Sequence, residues 1–288
     1  MMKKGLMIYL FIMFVFAAHS VAQEVSTGWL TGQIMIKDGG PMSRGMVVFF
    51  DAASGPAPDP DRFVRIPDQI TDLDEEGKFR ILLPAGKYYM GAIKRMSGEP
   101  VGPPLDNDYF LIKRDKDGNA VAYNIEKDKE QSTGVVAEAE PFKRKMTEGA
   151  SGISGIIVDM AGDPVERAIV FAYINDTMTG LPPFASYRTG PDGKYIITMD
   201  KGGIYYLRVR DVYGGGPPAE GSVMGGYGED KPAPVSVKTG EITQDIKIKV
   251  VRHFERGPQS QKAAEQGPDK SIKQDMKQKM KEEIEKKK

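Results

Sequence analysis

Residues 32–50 read GQIMIKDGGPMSRGMVVFF and residues 155–173 read GIIVDMAGDPVERAIVFAY. The two stretches superpose without a gap at an offset of 123, placing Gly32 on Gly155, Pro41 on Pro164, Arg44 on Arg167 and Val47 on Val170. Working outward, Gly77-Lys78-Phe79 falls on Gly193-Lys194-Tyr195, and Gly86-Lys87-Tyr88-Tyr89 on Gly203-Ile204-Tyr205-Tyr206. Gly102-Pro103-Pro104 then matches Gly216-Pro217-Pro218, and Phe142 matches Phe254. The order holds throughout while the offset drifts to 112 through changes in loop length. This is an internal duplication. It divides the chain into units 23–142 and 149–254, joined by a short polar linker, 143–148.

Each unit is patterned as strands. In Ile204–Arg210, Tyr205, Leu207 and Val209 share one face, while Tyr206, Arg208 and Arg210 share the other. Ile246, Ile248 and Val250 alternate with Lys247 and Lys249 in the same way. A period of two suits a strand with one face on a core and one in water. Asp38-Gly39-Gly40, Asp117-Gly118, Gly162-Asp163-Pro164 and Asp192-Gly193 supply turns between the runs. Neither unit needs an amphipathic helix. The expected fold is therefore all-β: two tandem antiparallel, Ig-like β-sandwich domains.

The order of these pieces resembles the carboxypeptidase regulatory-like domain. They run as G-x-I/V-x-D/K, Gly-x-Pro, Asp-x-x-Gly-Lys-Phe/Tyr and Gly-x-Tyr. That family has a transthyretin-like sandwich, similar also to the B-type repeats of collagen adhesins. The resemblance spans both units. It implies the sandwich fold but no particular activity, because such domains stand as passive modules beside enzymes, receptors, adhesins and secretion components. The transthyretin-like hydrolase branch depends on histidines that this sequence lacks. Both units also depart from the minimal pattern, with Gly-Pro-Pro-bearing stretches at 97–108 and 213–234. These are expected as loops without a core strand, since proline and glycine recur and alternation is missing. Such loops either bind a partner or merely cover the end of the sandwich.

The chain ends carry a different signal. Residues 1–22 combine Lys3 and Lys4, an apolar run from Leu6 to Ala18, and small residues Ser20 and Ala22, the layout of a cleavable signal peptide. The alternative is an uncleaved anchor, but the apolar run is shorter than the ~20 residues of a spanning helix. Cysteine is absent, which excludes disulfides, thiolate metal sites and lipid attachment at a cleavage-site cysteine. After removal of Lys3 and Lys4 the 40 basic residues become 38 against 40 acidic ones, a net charge of −2 that gives no reason to expect nucleic acid. The tail, 255–288, reads as a disordered linker and then a possible charged helix. In that helix Ile272, Met276, Met280 and Ile284 form a narrow stripe. It would be solvated, dock to a partner, or touch a membrane surface.

Catalytic candidates are few. Beyond the signal segment His253 is the single histidine, at the end of the last strand of unit two. No phosphate-cradling loop or paired-histidine zinc motif occurs. Asp72–Gly77 and Asp115–Asn119 faintly resemble calcium loops, but Asp-Gly hairpin turns account for them equally well. Lys37 and Asn124 offer a conceivable internal Lys-to-Asn bond in unit one. Trp29 begins the first strand in a partly open position. Tyr187, Tyr213 and Tyr227, on or near loops of unit two, are the candidate binding residues, with packing of the sandwich ends as the plainer role. No cofactor and no metal is expected. The resulting expectation is an exported, non-enzymatic binding or structural module, periplasmic, outer-surface or secreted, engaging a protein or polysaccharide, with self-association possible. The rival is an accessory protein of an envelope enzyme or a carboxylate-based hydrolase.

Overall fold

The structure, a computed structural model, describes residues 25–253 except 97, 99, 100, 146, 147, 214 and 215. The expected signal peptide and charged tail lie outside the described residues. No helix occurs among the described residues. Unit one comprises β1 (Thr27–Ile36), β2 (Met46–Asp51), β3 (Gln69–Asp72), β4 (Lys78–Pro84), β5 (Gly86–Lys94), β6 (Tyr109–Ile112), β7 (Ala122–Ile125) and β8 (Glu130–Pro141). Unit two comprises β9 (Ser151–Val158), β10 (Ile169–Tyr173), β11 (Phe184–Ala185), β12 (Lys194–Met199), β13 (Gly203–Arg210), β14 (Val223–Gly226), β15 (Val235–Val237) and β16 (Ile242–Arg252).

Unit one pairs its strands in the order β3-β2-β5-β6-β8-β1-β4, with β7 also on β5. Unit two repeats this as β11-β10-β13-β14-β16-β9-β12, with β15 on β13. The duplication in sequence is thus a duplication of topology. Pairing is antiparallel except for one pair in each unit, where β8 runs parallel to β1 and β16 parallel to β9. β8 lies along β1 from Glu130 to Ala139 while its last two residues reach β6, so the strand path folds over into two layers around a core.

The first glycine of each quoted stretch is explained by that parallel pair. Register shifts fall between Thr31 and Gln33 in one unit and between Thr243 and Ile246 in the other. At these bulges the closing strand presses on the first strand. A Cβ on Gly32 would lie 2.0 Å from Thr133 Oγ1, and one on Gly155 only 1.8 Å from the Ile246 carbonyl oxygen. The likeness extends to the next turn, where Arg44 (φ 56°) and Arg167 (φ 62°) both adopt the left-handed region.

The alternation read from the sequence decides burial. Tyr205, Leu207 and Val209 are buried, while Ile204 is 57% exposed. Leu30, Ile34, Phe49, Leu83 and Met90 fill the first core; Ile153, Ile157, Ile197, Met199 and Leu207 fill the second. One expectation is corrected: the 213–234 stretch contains β14, paired to β13 and β16. Its glycines had argued against a strand, yet they are what the position requires. A Cβ on Gly225 would meet the Lys249 carbonyl oxygen at 2.6 Å.

The two units interlock. Between β2 and β3 the chain of unit one leaves its own sheet and lies against the edge strand β11 of unit two. Arg65 bridges Phe184, and the Ala185 amide donates to the Val64 carbonyl at 3.1 Å. Phe63 enters the second core, edge-on to Phe184 with ring centroids 5.5 Å apart. Val64 and Ile66 cover the outer face, against Ile169, Phe171 and Ala185. Arg65 turns back to unit one, where its guanidinium donates to the carbonyls of Gly55, Pro56 and Asp51 and to the Asp68 carboxylate.

Candidate functional site

The Gly-Pro-Pro loop of unit one is held by a buried ion pair. Asp108 is fully buried and accepts from the Met96 amide at 2.7 Å, the Leu105 amide at 3.0 Å and Arg95 Nη1 at 3.0 Å. Arg95 also donates to the carbonyls of Pro103, at 2.8 Å, and Gly102. Charge-assisted bonds in a shielded setting are the strong ones, so residues 102–105 are held against the end of β5. The loop reaches unit two at Gly102, whose φ is +135° and whose Cβ, were there one, would lie 2.6 Å from the Tyr213 ring.

The three candidate tyrosines separate into two groups. The Tyr213 hydroxyl donates to the Ser186 carbonyl at 2.9 Å, and its ring stands edge-on to Phe171. The Tyr187 hydroxyl donates to the Pro104 carbonyl of unit one at 3.2 Å, with the Arg144 guanidinium 3.8 Å above the ring. Burial, partly offset by Arg144 and reinforced by Asp106, pushes the Tyr187 phenol up to about 12. Both tyrosines therefore sit in the seam between the units. Tyr227 packs instead on the core of unit two.

Beside Tyr213 the seam encloses a cavity of about 240 Å³. Its floor is the outer face of the β2-β5-β6 sheet, presented by Val48, Phe50, Ile93, Phe110 and Ile112. Its walls are the Pro-rich segment 58–67, the Gly-Pro-Pro loop and, from unit two, Leu181, Ala185 and Tyr213. An apolar cleft at a domain boundary with few polar groups has the usual character of a ligand site. Three large apolar side chains remain open among its lining residues: Ile70 and Val101, each 47% exposed, and Leu181, 51% exposed.

The other sequence candidates are not assembled into chemistry. Asp115 Oδ1 accepts from the amides of Asp117 and Asn119, both at 2.9 Å, and these bonds hold its carboxyl below the usual range. Asp74 Oδ1 likewise accepts from the Glu76 and Lys78 amides. In both turns the carboxylate Oδ1 thus holds its own hairpin, and no cluster of three or more metal-ligating side chains occurs among the described residues. Lys37 pairs with Glu140 at 3.3 Å, whereas Asn124 lies opposite Lys87, so the two are not brought together. Trp29 is capped by Arg80, 3.5 Å above its ring. His253 directly follows β16, its amide donating to the Ser222 carbonyl.

Sequence reasoning missed Phe63, Arg65, Arg95 and Asp108. A signal for the first two existed. Phe63-Val64-Arg65-Ile66 alternates between Pro60 and Pro67, which is an extended segment framed by residues that favour extended backbone.

No protein-family model matches the chain, and no curated protein matches it. Among solved structures it is similar to the TIE protein of Bacillus anthracis (14% identity, TM-score 0.25), over 78% of this chain and 34% of that one. It is also similar to a streptococcal ancillary pilin (11%, TM-score 0.24), over 80% of this chain and 64% of that one. A minor pilin of Streptococcus agalactiae matches at 14% identity and TM-score 0.24, over 79% and 98% of the two chains. The chain thus spans about a third of the TIE protein and 64% of the ancillary pilin.

Proposed function

We propose that this chain is an exported, non-catalytic binding or structural module. It engages a protein or polysaccharide at the cell envelope or outside the cell, its two carboxypeptidase regulatory-like units acting as one block. The observation that carries this reading is Phe63 of unit one seated in the core of unit two. A tandem tethered only by residues 143–148 would leave its units free to reorient. An interlocked pair holds the Gly-Pro-Pro loop, Tyr187 and Tyr213 in fixed relation, as a composite recognition surface or a load-bearing spacer requires. The motif order of both units supports the carboxypeptidase regulatory-like assignment. Export is supported by the layout of residues 1–22.

The best-placed acids serve structure. Asp108 holds the loop through Arg95, and Asp68 accepts from the Asp51 amide and Arg65. A general acid or nucleophile needs a lone pair or proton free for substrate. The test is saturable binding of the purified chain to isolated envelope polysaccharide and envelope protein fractions, beside Phe63→Ala, which splits the seam. Binding to one fraction that weakens about tenfold or more in the variant, a loss of 1.4 kcal/mol, is the expected result. Binding indifferent to the seam, or turnover of the bound material, contradicts the proposal.

A further inference from the structure

We infer that the seam cavity is a binding site for a small uncharged molecule with an apolar ring or short chain. The inference rests on the interlocked-block reading, because Leu181, Ala185 and Tyr213 of unit two complete walls otherwise built by unit one. Size comes first. A cavity of 150 Å³ lined by aliphatic and aromatic groups holds benzene, so the 240 Å³ here suits a somewhat larger group. Charge comes next. The charged groups in the walls are matched: Arg65 by Asp68, Arg95 by Asp108, and Asp59 by Arg114 at 3.6 Å. With the wall neutral, an ionised ligand would lose its hydration without a counter-charge.

The polar groups of the walls are turned to one another. Arg95 lines the cavity, but its terminal nitrogens are used by Asp108 and by the Pro103 and Gly102 carbonyls. Its Nε is buried out of reach of an atom in the cavity, so recognition falls to apolar contact. Ile70, Val101 and Leu181 then offer open apolar surface to any part of the ligand that projects outward.

The test follows methyl resonances of Val48, Ile93 and Ile112 in the full chain, with Ile153 and Val209 of the second core as internal controls. Three probes of one size are titrated: naphthalene, 2-acetylnaphthalene and 2-naphthoate. Saturable shifts confined to the cavity methyls are expected. Naphthalene and the ketone should both bind, and the carboxylate about tenfold or more weaker than either. Ile112→Phe, which fills the floor, should abolish the shifts. Absence of cavity shifts with naphthalene and the ketone, or a carboxylate at least as tight as either, overturns the inference. The wild-type titrations decide this even where the variant folds poorly. If the probes fail while the chain still melts as a single unit, the cavity inference falls and the interlocked block stands.

Discussion

Unit one and unit two share a strand order, a bulge beside the first glycine and a left-handed arginine, yet they finish one sheet edge differently. In unit two the edge strand β11 is only Phe184–Ala185, and residues 63–66 of unit one complete it. In unit one the matching strand β3 pairs only with β2 and leaves Ile70 47% exposed. The connection before β3 covers residues 52–68, while the one before β11 covers 174–183. Duplication supplied two copies of one sandwich. A longer connection in one copy supplied the neighbour with part of its core and left a cavity behind it. The same loop belongs by sequence to the first unit and by packing to both.

The largest effect that could break this comparison is at Arg65. Its side chain is 2% exposed and ties the loop to three carbonyls and Asp68. Arg65→Met leaves those acceptors and a carboxylate unmatched, at a cost of about 3–5 kcal/mol. Thermal melts should show both units destabilised; a loss confined to unit one would show that the loop does not couple them. Next come the paired glycines. Gly155→Ala meets backbone at 1.8 Å, whereas Gly32→Ala meets first the Thr133 hydroxyl, which can turn away. Overpacking of about 1–3 kcal/mol is expected at Gly155 and less at Gly32 in denaturant titrations. Equal losses would mean that the two bulges are not strained unequally.

Alkaline pH sharpens the comparison further. Burial, with Asp200, pushes the Tyr205 phenol up to about 12; burial also raises Tyr195, and the seam adds Tyr187 at about 12. Unit one has Tyr88, up to about 12 through burial and then Asp51 and Asp68, and Tyr123, raised by burial and Glu138. A phenol whose folded pKa is raised contributes stability fully below its unfolded value near 10, and loses it as pH climbs through the folded value. For Tyr187 that is on the order of 2 kcal/mol between pH 10 and 12. Unit two and the seam should therefore open before unit one in a base titration followed by tyrosinate absorbance and amide exchange. The smallest effect is Arg80→Ala. The half-exposed Arg80 pairs with Glu130 at 2.9 Å and caps Trp29. Its loss should cost about 1 kcal/mol or less, change the Trp29 fluorescence and leave unit two unmoved.

The fold was largely legible because its determinants are local or repeated. Tyr205, Leu207 and Val209 announce a one-sided strand, and the gapless match from Gly32 and Gly155 announces the second copy. β14 was hidden because its glycines signal a loop in isolation, and only the nearness of Lys249 and Val250 makes them necessary. The parallel pairs were hidden because strand direction depends on how the chain crosses between layers. Of the three tyrosines, two meet at the seam and one does not. Arg95 and Asp108 could not be paired in advance, since an arginine and an aspartate thirteen residues apart across a Gly-Pro-Pro loop usually face solvent separately.

The most direct measurement compares amide exchange across the wild-type chain and Phe63→Ala. Truncating a buried phenylalanine costs about 3–5 kcal/mol. The account predicts that most of this loss appears in β10, β11 and β13 of unit two, although the substitution lies in unit one, and that the wild-type units open together. A loss confined to unit one, or no loss in either, would contradict the claim that the first unit completes the second.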